Sequence, residues 1–196
     1  MQDKSELVFY TIIAVISISL VLQYENFTNE ITYTKSDIDG KPYLVRNLPD
    51  RKEAANLLAN VKKRCVHLVR YLSLKYPNND AVNRLLLKYN PDSITESTKN
   101  SKYTSYSVNK GEKIVFCIRS RDEKEKLVDL NVLMFVALHE LAHVMTKSVG
   151  HTQEFWDNFK FLLQQAIDAK VYRHQDFRKK PVKYCGTEIT DTPLND

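Results

Sequence analysis

Two histidines four residues apart, with a glutamate beside the first, form the group in this chain best suited to chemistry: His139-Glu140-Leu141-Ala142-His143. On a helix, positions i and i+4 share a face, so both imidazoles can reach one tetrahedral ion. The adjacent carboxylate can then take a proton from a water on that ion and act as its general base. With five His and eleven Glu in 196 residues, random placement produces this spacing about 0.007 times per chain. The surroundings point the same way. Leu130, Val132, Leu133, Met134 and Phe135 precede the motif, and burying three polar groups in so apolar a helix is costly without a task. A pair of hydrogen-bonded core histidines is the plain alternative.

A catalytic zinc takes three protein ligands and keeps a fourth position open. His151 lies eight residues beyond His143, directly after Gly150, and glycine readily adopts the positive φ that ends a helix. The active helix is expected to stop near Val149, turn at Gly150 and bring His151 back toward the ion. Glu154 is the rival ligand, although an anion near the start of the next helix is also favoured as a dipole partner. His67 and His174 lie in basic surroundings and read as solvated surface residues. Phe155, Trp156 and Phe159 read as packing of the final helix.

The elements that must position these groups follow from periodicity. Asn47 or Asp50 can cap a helix to about Lys75, with Ala54, Leu57, Leu58, Val61, Cys65, Leu68 and Leu72 on one buried stripe. Its other face carries Arg51, Lys52, Lys62, Lys63, Arg64 and Arg70. A short helix starts at Asn79 or Asp80, and Asp92–Ser101 reads as loop. The period then changes to two: Tyr103–Val108, a turn at Asn109-Lys110-Gly111, and Lys113–Arg119 predict a hairpin. The active helix begins near Asp129 or Asn131, and another runs from Thr152 to about Ala169. The tail from Val171 shows no period.

At the N-terminus, Leu7–Leu22 is apolar except for Tyr10, Thr11, Ser17 and Ser19 and carries no charge. Extended to Tyr24, it spans about 27 Å as a helix, close to the hydrocarbon thickness of a bilayer. Asp3 and Glu6 offset Lys4, and no small-residue cleavage site follows, so a single-pass anchor is preferred to a signal peptide. Lys4 and the amino group face only Glu25 and Glu30, which leaves orientation unspecified. Asn26-Phe27-Thr28 matches a glycosylation acceptor but lies close to the membrane. Four glycines and six prolines exclude collagen-like and linker-dominated chains. A net charge of +5 permits an anionic partner without requiring one. Cys65, Cys117 and Cys185, odd in number and widely spaced, indicate no disulfide framework and favour a reducing compartment.

His139-Glu140-Leu141-Ala142-His143 followed by Gly150-His151-Thr152-Gln153-Glu154-Phe155-Trp156 resembles the zinc metallopeptidase group containing the WLM (Wss1-like) and SprT-like families. In these families a Gly-His-x-x-x-Phe-Trp element supplies the third zinc histidine. The similarity covers Lys110 to Ala169. It extends through Lys183-Tyr184-Cys185-Gly186 to Pro193-Leu194 in small membrane-anchored relatives from large eukaryotic DNA viruses. The resemblance implies an α+β, zincin-like metallopeptidase domain, with helices packed on a small antiparallel sheet behind an N-terminal transmembrane helix. It makes His139, His143 and His151 the zinc ligands and Glu140 the base. Seven residues separate His143 from His151 rather than the five of metzincins, and no Met-turn can be placed, so the oxyanion-stabilising residue stays unassigned.

The expected organisation is an anchor at 1–24, a spacer at 25–46 and a metallopeptidase domain at 47–196. The expected activity is hydrolysis of a protein or peptide by a zinc-activated water. An extended substrate could add to the strand Lys113–Cys117 or its partner, and Tyr103 or Tyr106 could stabilise the oxyanion. Two other classes compete. One is a structural, membrane-associated component of a virion that keeps the fold and contacts neighbouring capsid or membrane proteins. The other is a protease of DNA–protein crosslinks, using the basic face of residues 51–70 on phosphate. The anchor and the lack of interleaved aromatics argue against nucleic acid.

Overall fold

A computed structural model of the chain describes residues 4–195. The side chains of residues 25–29 lie outside the described residues, and with them the Asn26-Phe27-Thr28 acceptor and the Glu25 flank; Asp3 lies outside as well. The apolar run forms α1 (Lys4–Glu30). Its segment Lys4–Tyr24 is long and apolar enough to cross a membrane, and none of it is buried against the rest of the chain.

Helix α1 passes directly into β1 (Ile31–Lys35), which pairs antiparallel with β2 (Pro42–Arg46) across the Asp39-Gly40 turn. Residues 31–46, expected to be spacer, are thus built into the domain. Tyr43 and Val45, two apart on one face of β2, are buried in the core. Helix α2 (Arg51–Lys75) follows, burying Ala54, Leu58, Val61, Cys65, Leu68 and Leu72. Asp50 occupies its N-cap position but makes no capping bond, because its carboxylate is drawn to Arg119 at 2.6 Å. Helix α3 (Asp80–Lys88) is capped by Asn79, whose side chain accepts from the Ala81 and Val82 amides.

The central sheet contains β3 (Ile94–Glu96), β4 (Ser105–Val108) and β5 (Lys113–Phe116) in the order β3-β5-β4. The hairpin β4–β5 is antiparallel, but β3 runs parallel to β5. The sheet is therefore mixed rather than antiparallel: the stretch expected as loop supplies a third strand, with Ile94 and Glu96 buried on one side. The turn residues Asn109, Lys110 and Gly111 have φ of 46°, 53° and 110°. At Gly111 a Cβ would stand 2.8 Å from the Lys88 carbonyl oxygen, so both conformation and space demand glycine.

Helix α4 (Leu130–Met145) starts at Asp129, which accepts from the Asn131 and Val132 amides, and is buried on nearly every side. It packs on α5 (Gln153–Asp168), α2, α3 and β4. It ends at Met145, earlier than expected. Thr146 turns extended (φ −83°, ψ 134°) while its hydroxyl donates to the Ala142 carbonyl at 2.7 Å.

The tail is ordered by contacts that periodicity does not reveal. Val171, Tyr172 and Phe177 join the core, with the Phe177 ring 4.8 Å from that of Phe135. A hairpin follows, β6 (Val182–Tyr184) with β7 (Thr187–Ile189), and then a 3-10 turn at Pro193–Asn195. In the β6–β7 turn, Cys185 is disulfide-bonded to Cys117 beyond β5, with Cα atoms 6.2 Å apart. This corrects the expectation of unpaired cysteines and removes the ground for a reducing compartment. A sequence separation of 68 residues follows no framework pattern. Cys65 alone is free, its buried thiol pushed up to about 12.

Candidate metal centre

Helix α4 presents His139 and His143 one turn apart, and the segment after it returns His151 to the same point. His139 Nε2 lies 3.2 Å from His143 Nε2 and 3.1 Å from His151 Nε2. One ring nitrogen from each of the three falls within 4.8 Å of the others. Nitrogens about 2.05 Å from a tetrahedral zinc stand about 3.3 Å apart, so the set has nearly the spacing that one ion imposes. A hydrogen-bonded core pair needs two rings, not three converging on one point.

Burial, then the charge of neighbouring imidazoles, holds His139 down to about 3. Burial followed by His151 and Lys110 holds His143 down to about 4. Both rings are thus neutral near pH 7, the form that ligates a metal. The three histidines and Glu140 line one cavity of about 640 Å³, with Tyr106 and Ser107 of β4 among its walls. Glu140 is buried, which raises its carboxyl to about 7, while the Ser107 amide donates to it and pulls the other way.

Glu154 is placed elsewhere. It accepts from the Lys147 and Ser148 amides at 3.0 and 3.2 Å and from Ser148 Oγ at 3.0 Å. These amides hold its carboxyl below the usual range. Arg84 approaches it to 3.5 Å. His67 and His174 are exposed and belong to no candidate metal cluster among the described residues. Tyr103 is 64% exposed and stands outside the cavity wall that includes Tyr106.

Residues read as plain packing turn out to shape the centre. The buried Phe155 ring lies 4.9, 4.3 and 4.7 Å from the rings of His139, His143 and His151. Trp156 lies 5.7 Å from His151. A second cavity of about 440 Å³ opens beside His139, walled by Phe135, Trp156, Phe159 and Pro193. Tyr184 also lines the larger cavity. Its hydroxyl donates to the Cys117 carbonyl at 2.7 Å and lies 2.8 Å from Ser105 Oγ. Lys110 lines it too. Neither was given a role from sequence: Tyr184 sits in the aperiodic tail, named only within the family resemblance, and Lys110 looks like an ordinary turn residue.

An α+β fold with three histidines and a buried glutamate gathered beside the edge strand β4 places the chain in a definable class, and comparison with known proteins supplies the family. The WLM domain model matches residues 89–194; the chain belongs to the WLM domain family. It is 37% identical over 190 residues to protein R325 of Acanthamoeba polyphaga mimivirus, covering 93% of this chain and 94% of that protein. Protein 042R of invertebrate iridescent virus 3 is 45% identical over 85 residues, 42% of this chain and 49% of the relative. Among solved structures, Wss1 from Saccharomyces cerevisiae gives a TM-score of 0.47 at 20% identity, over 64% of this chain and 87% of Wss1.

Proposed function

We propose that the chain is a membrane-anchored zinc metallopeptidase, with His139, His143 and His151 as ligands and Glu140 as general base. The convergence of three imidazole nitrogens in the cavity that also holds Glu140 is the observation that carries this reading. Imidazole donors suit zinc, which when bound would lower the pKa of a water toward about 7 and polarise a carbonyl.

The protein's own groups complete the reaction. Glu140 takes the water's proton on its carboxylate and passes it to the leaving amine. Among the described residues strand β4 pairs on one side only, and its open edge can receive an extended peptide by strand addition. Tyr106 is the candidate for the oxyanion, since the Tyr184 hydroxyl already donates to Cys117. The cavity beside His139 suits a large apolar side chain next to the scissile bond. Helix α1 anchors the domain by exposing apolar side chains along its length.

A structural role in a membrane-bound virion is the second reading, motivated by the viral relatives. Action on nucleic acid is less well supported. Lys52 pairs with Asp37, Lys62 with Asp92, and Arg64 donates to the Val171 carbonyl, so much of the basic face of α2 has internal partners.

The test uses the full chain in detergent, measuring bound zinc and hydrolysis of a quenched fluorescent peptide library. Wild type should bind about one zinc and cleave. Glu140→Gln should keep zinc and lose at least about a hundredfold in rate, and His151→Ala should lose zinc. Folded wild type without metal would overturn the peptidase reading, and metal without turnover would favour the virion reading. Flotation with liposomes tests the anchor: full chain that stays at the bottom of the gradient removes it.

A further inference from the structure

We infer that Lys110 is a positioning residue for the third imidazole, its ammonium gathering the carbonyls of the turn that carries the chain from His143 to His151. The inference rests on the reading of the histidine triad as a metal site. His139 and His143 are fixed by α4, but His151 is exposed and stands beyond the helix end. Its place therefore depends on residues 146–150.

The last carbonyls of a helix and the turn after it have no intrahelical donors. Here the donors come from elsewhere in the fold. Arg84 Nε donates to the Met145 carbonyl at 2.8 Å. Lys110 Nζ then donates to the carbonyls of Thr146, Lys147 and Ser148 at 2.6, 3.0 and 2.6 Å. An ammonium has three N–H groups, and these three acceptors account for all of them. Although Lys110 lines the large cavity, it has no donor left for a substrate. Its work is on the backbone.

The amides of the same turn are held from the opposite side, by the Glu154 carboxylate on Lys147 and Ser148. The turn is thus clasped between the β4–β5 hairpin, which grips its carbonyls, and α5, which grips its amides. Gly150, with φ of 85°, completes the reversal into His151.

A second observation concerns the backbone of Lys110 itself. At φ of 53° it occupies the left-handed region, which crowds the Cβ of an L-residue and which glycine occupies freely. A lysine there is locally unfavourable for the hairpin, and its compensation is the three-carbonyl grip. Groups that orient metal ligands from outside the coordination sphere typically change affinity by about 10- to 100-fold.

The experiment measures Co²⁺ and Zn²⁺ affinity of the full chain in detergent by chelator competition, with the visible spectrum of the Co²⁺ form and the melting temperature of the metal-free form. The variants are Lys110→Met, Lys110→Gly and Lys110→Arg. Lys110→Gly removes the ammonium while relieving the left-handed backbone, so it keeps the hairpin even if Lys110→Met does not fold. Expected are a 10- to 100-fold loss of affinity in Lys110→Gly, a Co²⁺ spectrum showing loss of one imidazole, and partial recovery in Lys110→Arg. Affinity of Lys110→Gly within about threefold of wild type, with an unchanged spectrum, would overturn the inference and leave the triad standing. Wild type that takes up neither ion would overturn the triad and the inference together.

Discussion

The ring of Phe155 lies against the imidazole of His143, with centroids 4.3 Å apart and planes 30° from parallel. The same ring meets His139 and His151 closer to edge-on. One fully buried side chain on α5 therefore backs all three imidazoles while filling the seam between α4 and α5.

Phe155→Ala should consequently lower stability by about 3–5 kcal/mol, the usual cost of emptying an aromatic site in a core. It should also weaken metal uptake, because the rings lose their common backing. Urea denaturation of the metal-free protein gives the first quantity and chelator competition the second. Unchanged metal affinity in a destabilised but folded variant would reduce Phe155 to packing.

A second prediction concerns the buried charges beside β3. Arg119 Nε donates to Glu96 Oε1 at 2.8 Å, and Glu96 Oε2 accepts from the Arg46 amide at 2.7 Å. Both charged side chains are almost fully buried. Removing one partner strands the other, so Arg119→Met should cost about 3–5 kcal/mol. Adding Glu96→Leu should recover a large part of that loss, because the uncompensated carboxylate is then gone. A double-mutant cycle by chemical denaturation measures both, and a strictly additive result would show that the two side chains are not coupled.

The disulfide offers a third test. Cys117 and Cys185 close a loop with a sequence separation of 68 residues, for which the chain-entropy model gives about 4 kcal/mol. The double variant Cys117→Ser with Cys185→Ser should shift the urea midpoint down accordingly. A reducing agent should do the same to wild type and nothing further to the variant.

At acid pH, Asp92 should report itself. Its carboxylate contacts Lys41 at 2.8 Å and Lys62 at 2.5 Å, and these ammonium groups hold it down to about 2, below its usual 3.8. A depressed carboxylate stabilises the fold above its ordinary range, and that contribution disappears as pH falls through the folded value. Because the group is largely exposed, it is worth less than about 1 kcal/mol. Asp92→Asn should flatten the stability profile between about pH 4 and 2, as read by thermal melts across that window.

The candidate site on α4 was legible because its spacing is local: two histidines and a glutamate on one helix need no distant partner to be recognised. The starts of α3, α4 and α5 were legible for the same reason, at Asn79, Asp129 and Thr152, which cap them. What escaped depends on residues far apart in sequence. Nothing between Thr146 and Val149 breaks a helix, and α4 stops at Met145 where Lys110, Arg84 and Glu154 hold the departing chain. Strand β3 is three residues long and acquires its identity from pairing with β5. The tail has no period because Phe177 and Tyr184 each answer to a different distant neighbour, Phe135 and Cys117. Whether His151 or Glu154 turned inward was open from spacing alone; the two backbone amides that Glu154 accepts account for its placement.

The bond between Cys117 and Cys185 encloses more than a stretch of chain. His139, Glu140, His143 and His151 all lie between the two cysteines, so the candidate centre sits inside a covalent ring. A single backbone cut anywhere in that ring, including the exposed segment around Val149 and Gly150, leaves both pieces joined. A protein of this kind can be nicked by a protease and still travel as one molecule on a non-reducing gel. Only cleavage together with reduction would part the half that carries α1 from the half that carries α5.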